Sequence, residues 1–254
     1  MEYIYTPFHP TIHTRYALGT VKKIIEMKFG IVVFPGSNCD RDMQHALAQD
    51  AKQEVIMLWH KDKDLSAFST EDCIVLPGGF SYGDYLRCGA LARFSPMMES
   101  VIAHANKGGK VLGVCNGFQI LCEAGLLPGA LLLNDHQKFI CKNTFIKSEN
   151  EKVAISKNVV GQTLKIPIAH GEGRYYADES TIQFIEKNNQ VIFRYCDSTG
   201  NTATANPNGT TNNIAGICNA TGNVFGMMPH PERACSNILG NTDGLRIFNS
   251  IINN

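Results

Sequence analysis

The sequence has little that would place the chain in a membrane or outside the cell. No apolar run among its 254 residues approaches the roughly 20 residues needed to span a bilayer. The first 26 residues hold two prolines, two histidines and charges of both signs, and they lack the apolar segment of a signal peptide. We therefore expect a cytoplasmic protein that has no membrane partner.

Neither sign of charge is in excess. The 23 lysines and arginines balance the 23 aspartates and glutamates, so the formal net charge is zero at pH 7. Proteins that bind nucleic acid through their overall charge carry a basic excess. The composition therefore gives no reason to expect a nucleic-acid partner.

The cysteine patterns of disulfide-rich and zinc-binding domains are absent as well. The chain has nine cysteines, an odd number, and no two of them form a Cys-x-x-Cys pair. Disulfide frameworks belong to small secreted domains, and zinc modules need clustered ligands. We expect a reducing compartment, no metal site, and cysteines that mostly serve as small buried side chains.

Phosphate-binding loops are also missing. Gly108-Gly109-Lys110 is followed by Val111 and so does not complete a G-x-x-x-x-G-K-[ST] loop, and no G-x-G-x-x-G segment opens a helix. We expect no cofactor on this chain.

The first half of the chain alternates short apolar runs with helical segments from Met27 onward. Strands are predicted at 29–34, Glu54–Trp59, Cys73–Leu76 and Lys110–Val114, and helices in the stretch that ends near Asp50, at 95–106 and at 116–124. This rhythm is typical of an α/β fold, with a mostly parallel sheet and helices on both faces.

The rhythm changes after Gly125. Strands are predicted at 131–146, 164–169, 191–195, Ile214–Cys218 and 224–228, helices at 178–187 and 244–252, and a polar loop at 198–213. We expect one domain over residues 27–254. Residues 1–26 are expected to be an N-terminal extension that is disordered or results from a start-site error.

The segment Gly113-Val114-Cys115-Asn116-Gly117 lies between a predicted buried strand and a predicted helix. It is the cysteine form of the G-x-S-x-G elbow, in which flanking glycines make room for a sharp turn. The turn would present the Cys115 sulfur at the carboxyl edge of the sheet and at a helix N-terminus, whose partial positive charge favours the thiolate. The segment therefore predicts a nucleophile at Cys115.

A second glycine segment, Pro77-Gly78-Gly79-Phe80, follows another predicted strand at the same edge. Two glycines free the backbone to aim N–H groups at one point, as an oxyanion hole requires. A plain tight turn explains the pair as well, but its position near the elbow favours a catalytic role.

Two histidine segments could supply the base that a cysteine nucleophile needs. His170-Gly171-Glu172 and His230-Pro231-Glu232 each follow an apolar strand and offer a glutamate two residues on. In an extended segment residues i and i+2 point the same way, so the carboxylate could orient the imidazole. Pro231 would hold its segment extended, which favours His230, but spacing alone leaves both open.

Five segments together resemble the class I, triad-type glutamine amidotransferases. They are 34–40 (FPGSNCD), 77–87 (PGGFSYGDYLR), 113–119 (GVCNGFQ), 169–173 (AHGEG) and 226–234 (GMMPHPERA). They are most similar to the free-standing glutaminase subunits of bacterial phosphoribosylformylglycinamidine synthases. The resemblance covers residues 27–254 and implies a flavodoxin-like, three-layer sheet.

The resemblance also implies roles for individual residues. The catalytic triad would be Cys115, His230 and Glu232. The backbone of Gly79, Phe80 and Asn116 would form the oxyanion hole, and Gln119 would lie near the bound glutamine. The segments 82–87 and 170–173 would line the mouth of the site and meet a partner.

The family's activity is the hydrolysis of glutamine to glutamate and ammonia through a cysteine thioester. The resemblance implies that the ammonia goes to a large synthetase subunit, which converts formylglycinamide ribonucleotide to formylglycinamidine ribonucleotide in de novo purine biosynthesis. The resemblance also implies that ATP and magnesium bind to that partner and that a small third subunit helps the complex to assemble.

Three other classes of protein fit the residues less well. A cysteine peptidase or chaperone on the same scaffold needs no Pro-His-Pro-Glu segment after a late strand. A scaffold without activity would be expected to lack a triad residue, and a metal-binding module would need clustered ligands.

Overall fold

The computed structural model describes residues 27–254, and the extension predicted at 1–26 lies outside the described residues. The strands, in chain order, are β1 (Lys28–Val33), β2 (Glu54–Trp59), β3 (Cys73–Leu76), β4 (Lys110–Val114), β5 (Ala130–Leu132), β6 (Ile140–Ser148), β7 (Thr163–His170), β8 (Arg174–Tyr176), β9 (Val191–Cys196), β10 (Ile214–Cys218) and β11 (Val224–Met227). The helices are α1 (Asp40–His45), which continues into a π-helical turn at Ala46–Asp50, α2 (Pro96–Asn106), α3 (Asn116–Glu123), α4 (Glu179–Lys187) and α5 (Asp243–Ile252).

Nine strands form one mixed sheet in the order β2-β1-β3-β4-β11-β10-β9-β6-β7. The first five run parallel, and the last four continue the sheet with antiparallel pairs. β5 and β8 form a separate antiparallel pair. The predicted α/β fold is confirmed, and its parallel half carries the elbow.

The central strands of the parallel half are buried beneath helices. All four residues of β3 and four of the six in β1 are buried, the pattern of strands that face helices on both sides. The crossovers through α1 and α2 run in opposite directions across the sheet, so right-handed connections place these helices on opposite faces.

The strand predicted at 131–146 is wrong, since two strands take its place. β5 ends at Leu132 and β6 begins at Ile140, and a turn lies between them in which the Gln137 amide donates to the Asn134 carbonyl oxygen at 2.9 Å. Asn134 is buried, and its side-chain amide donates to backbone carbonyls, which competes with a strand ladder. The turn lets β5 leave the sheet and pair with β8, which the sequence did not predict.

Within the part of the chain that the structure describes, none of the helices has the length and apolar character that crossing a bilayer requires. All nine cysteines are free, and six of them are buried.

Candidate active site

Cys115 forms a strained turn between β4 and α3. Its φ of 51° and ψ of −107° lie outside the regions that a side-chain-bearing residue normally occupies. Such strain persists only where the surroundings fix it, and it is typical of functional sites. The turn holds the sulfur at the carboxyl end of β4, with 6% of the residue exposed.

The glycines of the elbow are required by close packing. A Cβ on Gly117 would run into the carbonyl of Leu76 on the neighbouring strand, and one on Gly113 would lie 2.6 Å from the Gly117 carbonyl carbon. The predicted reason for the flanking glycines, that a sharp turn leaves no room for a side chain, therefore agrees with the geometry.

His230 and Glu232 form a buried pair beside the elbow. His230 Nδ1 lies 2.6 Å from Glu232 Oε1, and because a carboxylate only accepts, Nδ1 carries the proton and Nε2 is left to face the cavity. Burial works against a charged imidazole, but the Glu232 carboxylate and the neighbouring Cys115 outweigh burial and raise the pKa of His230 to about 10. At neutral pH the imidazole is therefore protonated.

The expected extended geometry of this segment is wrong in detail. His230 itself is extended, with φ −99° and ψ 88°, but Pro231–Arg233 forms a single 3₁₀ turn. The turn, rather than a straight strand, brings the glutamate back onto the imidazole. Helix α5 packs against this turn, and the Gly244 amide donates to the Ala234 carbonyl oxygen at 2.7 Å.

His170 has a different partner and a different charge. Its Nδ1 lies 3.0 Å from Asn134 Oδ1. The Asn134 amide nitrogen donates to the carbonyls of Lys138 and His170, so Oδ1 is the acceptor and His170 Nδ1 carries the proton. Burial and the charge of His230 lower the pKa of His170 to about 4, and the ring is neutral. The Glu172 carboxylate makes no hydrogen bond to this ring.

The predicted oxyanion donors are arranged unequally. No acceptor among residues 27–254 takes the backbone amides of Gly79 or Asn116, and Asn116 opens α3, where the first N–H groups have no partner in the helix. The Phe80 amide, in contrast, donates to the Gly36 carbonyl oxygen at 2.9 Å. In this arrangement Phe80 offers no free donor to the site.

Gly78 and Gly79 allow this segment to approach Cys115. A Cβ on Gly78 would lie 2.8 Å from His230 Cε1 and 3.4 Å from Cys115 Cβ. Gly79 has φ +129°, and a Cβ there would lie 2.6 Å from the Asn38 amide nitrogen. The Gly-Gly pair is thus needed at the site itself.

Gln119 lies one helical turn after Cys115 and belongs to a side-chain network. Its oxygen accepts a hydrogen bond from Asn116 Nδ2 at 2.9 Å, and its Nε2 donates to the Glu172 carbonyl oxygen at 2.6 Å. Asn116 Nδ2 also lies 3.3 Å from Asp84 Oδ1. These bonds fix the 170–173 segment and residue 84 against the start of α3.

A cavity of about 420 Å³ joins these groups. It is lined by three of the four residues predicted to bind substrate (Gly79, Phe80 and Gln119), by two of the three predicted triad residues (Cys115 and His230), and by His170 and Glu172. Asn116 and Glu232 lie behind this wall, at 1% and 3% exposure.

Cys39 and Arg233 also line the cavity, although Cys39 was expected only to be a small buried side chain. Arg233 Nη2 donates to Cys39 Sγ at 3.1 Å. Burial raises the pKa of Cys39 to about 12 despite the nearby guanidinium, so this sulfur stays a thiol. Cys39, His230 and Glu232 place donor atoms within 4.8 Å of one another, but a cation there would have to displace Arg233 and the Nδ1 proton.

The segment predicted to meet a partner is only partly exposed. Tyr82 turns inward, and its hydroxyl lies 2.6 Å from His60 Nδ1. Arg87 is held by two 2.6 Å hydrogen bonds to Glu123. Tyr85 and Leu86 are 70% and 77% exposed, and they are the side chains of this segment that are free to contact another protein.

Comparison with known proteins gives a consistent set of relatives. The family model of the CobB/CobQ-like glutamine amidotransferase domain matches residues 26–247. The phosphoribosylformylglycinamidine synthase subunit PurQ of Moorella thermoacetica is 55% identical over 228 residues, 89% of this chain and 95% of that protein. The subunit of the same name from a Nostoc species is 54% identical, with 89% and 97% covered.

Among solved structures, PurLQS from Thermotoga maritima matches with a TM-score of 0.78 and 42% identity. The match covers 90% of this chain and 98% of the other.

Proposed function

Because the chain belongs to the CobB/CobQ-like glutamine amidotransferases, and among them to the PurQ subunits of phosphoribosylformylglycinamidine synthase, we propose that Cys115, His230 and Glu232 carry out its glutaminase reaction. The chain is an enzyme of purine biosynthesis that releases ammonia from glutamine. The observation that supports this triad is that the strained Cys115 and His230 line one cavity, with Glu232 bonded to His230 from behind its wall at 2.6 Å.

The first step is attack of the Cys115 sulfur on the side-chain amide carbon of glutamine. His230 is protonated at neutral pH because Glu232 and Cys115 raise its pKa, so its imidazole holds a proton at Nε2. When the tetrahedral intermediate collapses, Nε2 gives this proton to the leaving nitrogen. Ammonia departs, and glutamate remains as a thioester on Cys115.

The negative oxygen of the intermediate needs backbone donors. The amides of Gly79 and Asn116 have no acceptor among residues 27–254; Asn116 follows Cys115 directly and Gly79 lines the same cavity, so we assign them this role. Phe80 would join them only after its bond to Gly36 breaks. A water activated by His230 Nε2 then hydrolyses the thioester and regenerates the thiol.

The ammonia is used on another polypeptide. The relatives are named as subunits of a synthase, and the matching structure is of PurLQS. We propose that a large synthetase subunit binds ATP and magnesium and uses the ammonia to convert formylglycinamide ribonucleotide to formylglycinamidine ribonucleotide. A small subunit would help assembly, and the exposed Tyr85 and Leu86 would contact a partner. The free cysteines favour a cytoplasmic location.

The test uses the assembled synthase. Replacing Cys115 by Ala should abolish synthesis driven by glutamine, because the thioester cannot form, while synthesis driven by an ammonium salt continues. The matched control is Cys122→Ala, which removes a half-buried thiol on α3 that does not line the cavity. Glutamine-driven synthesis that survives in the Cys115→Ala complex would rule out this nucleophile, and hydrolysis of peptides in preference to glutamine would favour a peptidase.

A further inference from the structure

Two carboxylates, those of Asp84 and Glu172, lie on the cavity wall without a cationic partner. Both residues line the cavity that holds Cys115. Among residues 27–254, neither carboxylate forms an ion pair with a lysine, arginine or histidine. Arg233, which shares the cavity, is bonded to Asp42 instead. Both carboxylates therefore border the cavity, and the positive charges that also line it, on Arg233 and the protonated His230, pair with other carboxylates.

The positions of both residues are fixed relative to the nucleophile. Asn116, the residue after Cys115, places Nδ2 3.3 Å from Asp84 Oδ1 and 2.9 Å from Gln119 Oε1. Gln119 Nε2 in turn holds the backbone of Glu172 at 2.6 Å. These bonds tie Asp84 and the backbone of Glu172 to the first turn of the helix that follows Cys115.

The backbone around Asp84 is strained. Tyr82, Asp84 and Leu86 all have positive φ, at 54°, 53° and 71°, a conformation that costs each of these residues free energy. Asp84 is partly buried, and burial together with the charge of Glu172 raises the pKa of its carboxyl. The fold therefore maintains an unfavourable arrangement that a bound cation would relieve.

A third acceptor lies in the same cavity. His170 is 3% exposed, and its Nε2 has no hydrogen-bond partner among the described residues. Because Nδ1 carries the proton, Nε2 presents a lone pair. An acceptor that is buried without a partner costs free energy unless a ligand donates to it.

Building on the proposed glutaminase function, we propose that Asp84 and Glu172 bind the α-ammonium group of the glutamine substrate. An ammonium group carries a positive charge and three donors, and the cavity offers two carboxylates and a neutral imidazole nitrogen. The pair would then distinguish glutamine from amides that lack the ammonium group, and it would place the side-chain amide at Cys115. Asp84 and Glu172 would be specificity residues that take no part in bond breaking.

The first test compares substrates with the assembled synthase. We expect KM for glutamine to rise roughly tenfold to hundredfold in Asp84→Asn and Glu172→Gln, as for the loss of a hydrogen bond between charged groups, with a smaller change in kcat. The ratio of kcat/KM for glutamine to that for its deaminated analogue, the monoamide of glutaric acid, should fall by a similar factor. Glu151→Gln, which neutralises an exposed carboxylate, should change neither.

The second test separates binding from the chemistry of the sulfur. A diazoketone analogue of glutamine, which carries the α-ammonium group, should label Cys115 more slowly in both variants, while alkylation by iodoacetamide should keep its rate. An unchanged substrate ratio in folded Glu172→Gln would overturn the proposal even if Asp84→Asn fails to fold. If the diazoketone does not label Cys115 in the unaltered chain, the proposed glutaminase site itself is wrong.

Discussion

The backbone amide of Phe80 donates a hydrogen bond to the carbonyl oxygen of Gly36 at 2.9 Å. This bond takes one expected donor away from the oxyanion hole and leaves Gly79 and Asn116. The next residues, 81–87, include the exposed side chains of Tyr85 and Leu86. A protein that docks on these side chains would move the segment that holds Phe80, and this movement would break the bond to Gly36.

We therefore predict that the isolated chain hydrolyses glutamine slowly and that its partners accelerate it. Addition of the synthetase, the small subunit and their substrates should raise the rate at least roughly tenfold, which corresponds to about 1.4 kcal/mol of barrier. The measurement is glutamate release by the pure chain before and after mixing. Full activity in isolation, unchanged by mixing, would contradict this coupling.

The double variant Tyr85→Ser, Leu86→Ser should lose most of this acceleration and keep the slow rate of the isolated chain. Its matched control is Ile238→Ser, which removes an apolar side chain that is 96% exposed elsewhere on the surface. Equal acceleration in the double variant and the control would place the docking surface elsewhere.

The two histidines of the cavity should respond differently to substitution. His230→Ala should lower kcat by roughly 10²–10⁴-fold, because the proton donor to the leaving nitrogen is lost. Glu232→Gln should cost less, since it weakens the hold on Nδ1 and leaves the imidazole in place. His170→Ala should act mainly on KM for glutamine, and a larger loss of kcat at His170 than at His230 would exchange their roles.

The strands and the elbow could be predicted because short-range patterns determine them. Glu54–Trp59 and Cys73–Leu76 have the predicted bounds, since each is a continuous apolar or alternating run between turn residues. The G-x-C-x-G segment was predictable for the same reason, because the glycines that the sharp turn requires lie within the segment itself.

The features of the site that the sequence did not predict depend on residues that are distant in sequence. Asn134 lies 36 residues from the His170 ring whose tautomer it sets, and Arg233 lies 194 residues from Cys39. The state of the Phe80 amide depends on the orientation of the peptide after Gly79, which a glycine leaves free. No local pattern carries this information, and only the packed structure brings these groups together.

The elbow glycine Gly117 gives a prediction on stability. Gly117→Ala should lower the free energy of unfolding by roughly 1–3 kcal/mol or more, because the added Cβ meets the Leu76 carbonyl on rigid backbone. Gly171→Ala is the matched control, since a Cβ there meets only Phe139 at 3.9 Å. Equal denaturant midpoints for the two variants would mean that the elbow adjusts without strain.

The last prediction concerns the pH dependence of folding. The pKa of His170 falls from 6.5 to about 4 on folding, because burial and the charge of His230 oppose protonation. Its contribution to stability is therefore complete above pH 6.5 and is lost as the pH falls toward 4, since the unfolded chain takes up the proton first. His230 has the opposite sign, because its pKa rises to about 10, and its contribution is lost as the pH rises from 6.5 to 10.

The His170 contribution should amount to on the order of 2 kcal/mol between pH 7 and pH 4.5. In denaturant titrations at these two pH values, His170→Gln should remove this part of the acid destabilisation. His45→Gln, at an exposed position on α1, should leave it in place. If His170→Gln loses as much stability on acidification as the unaltered chain, the imidazole is not held neutral by the fold.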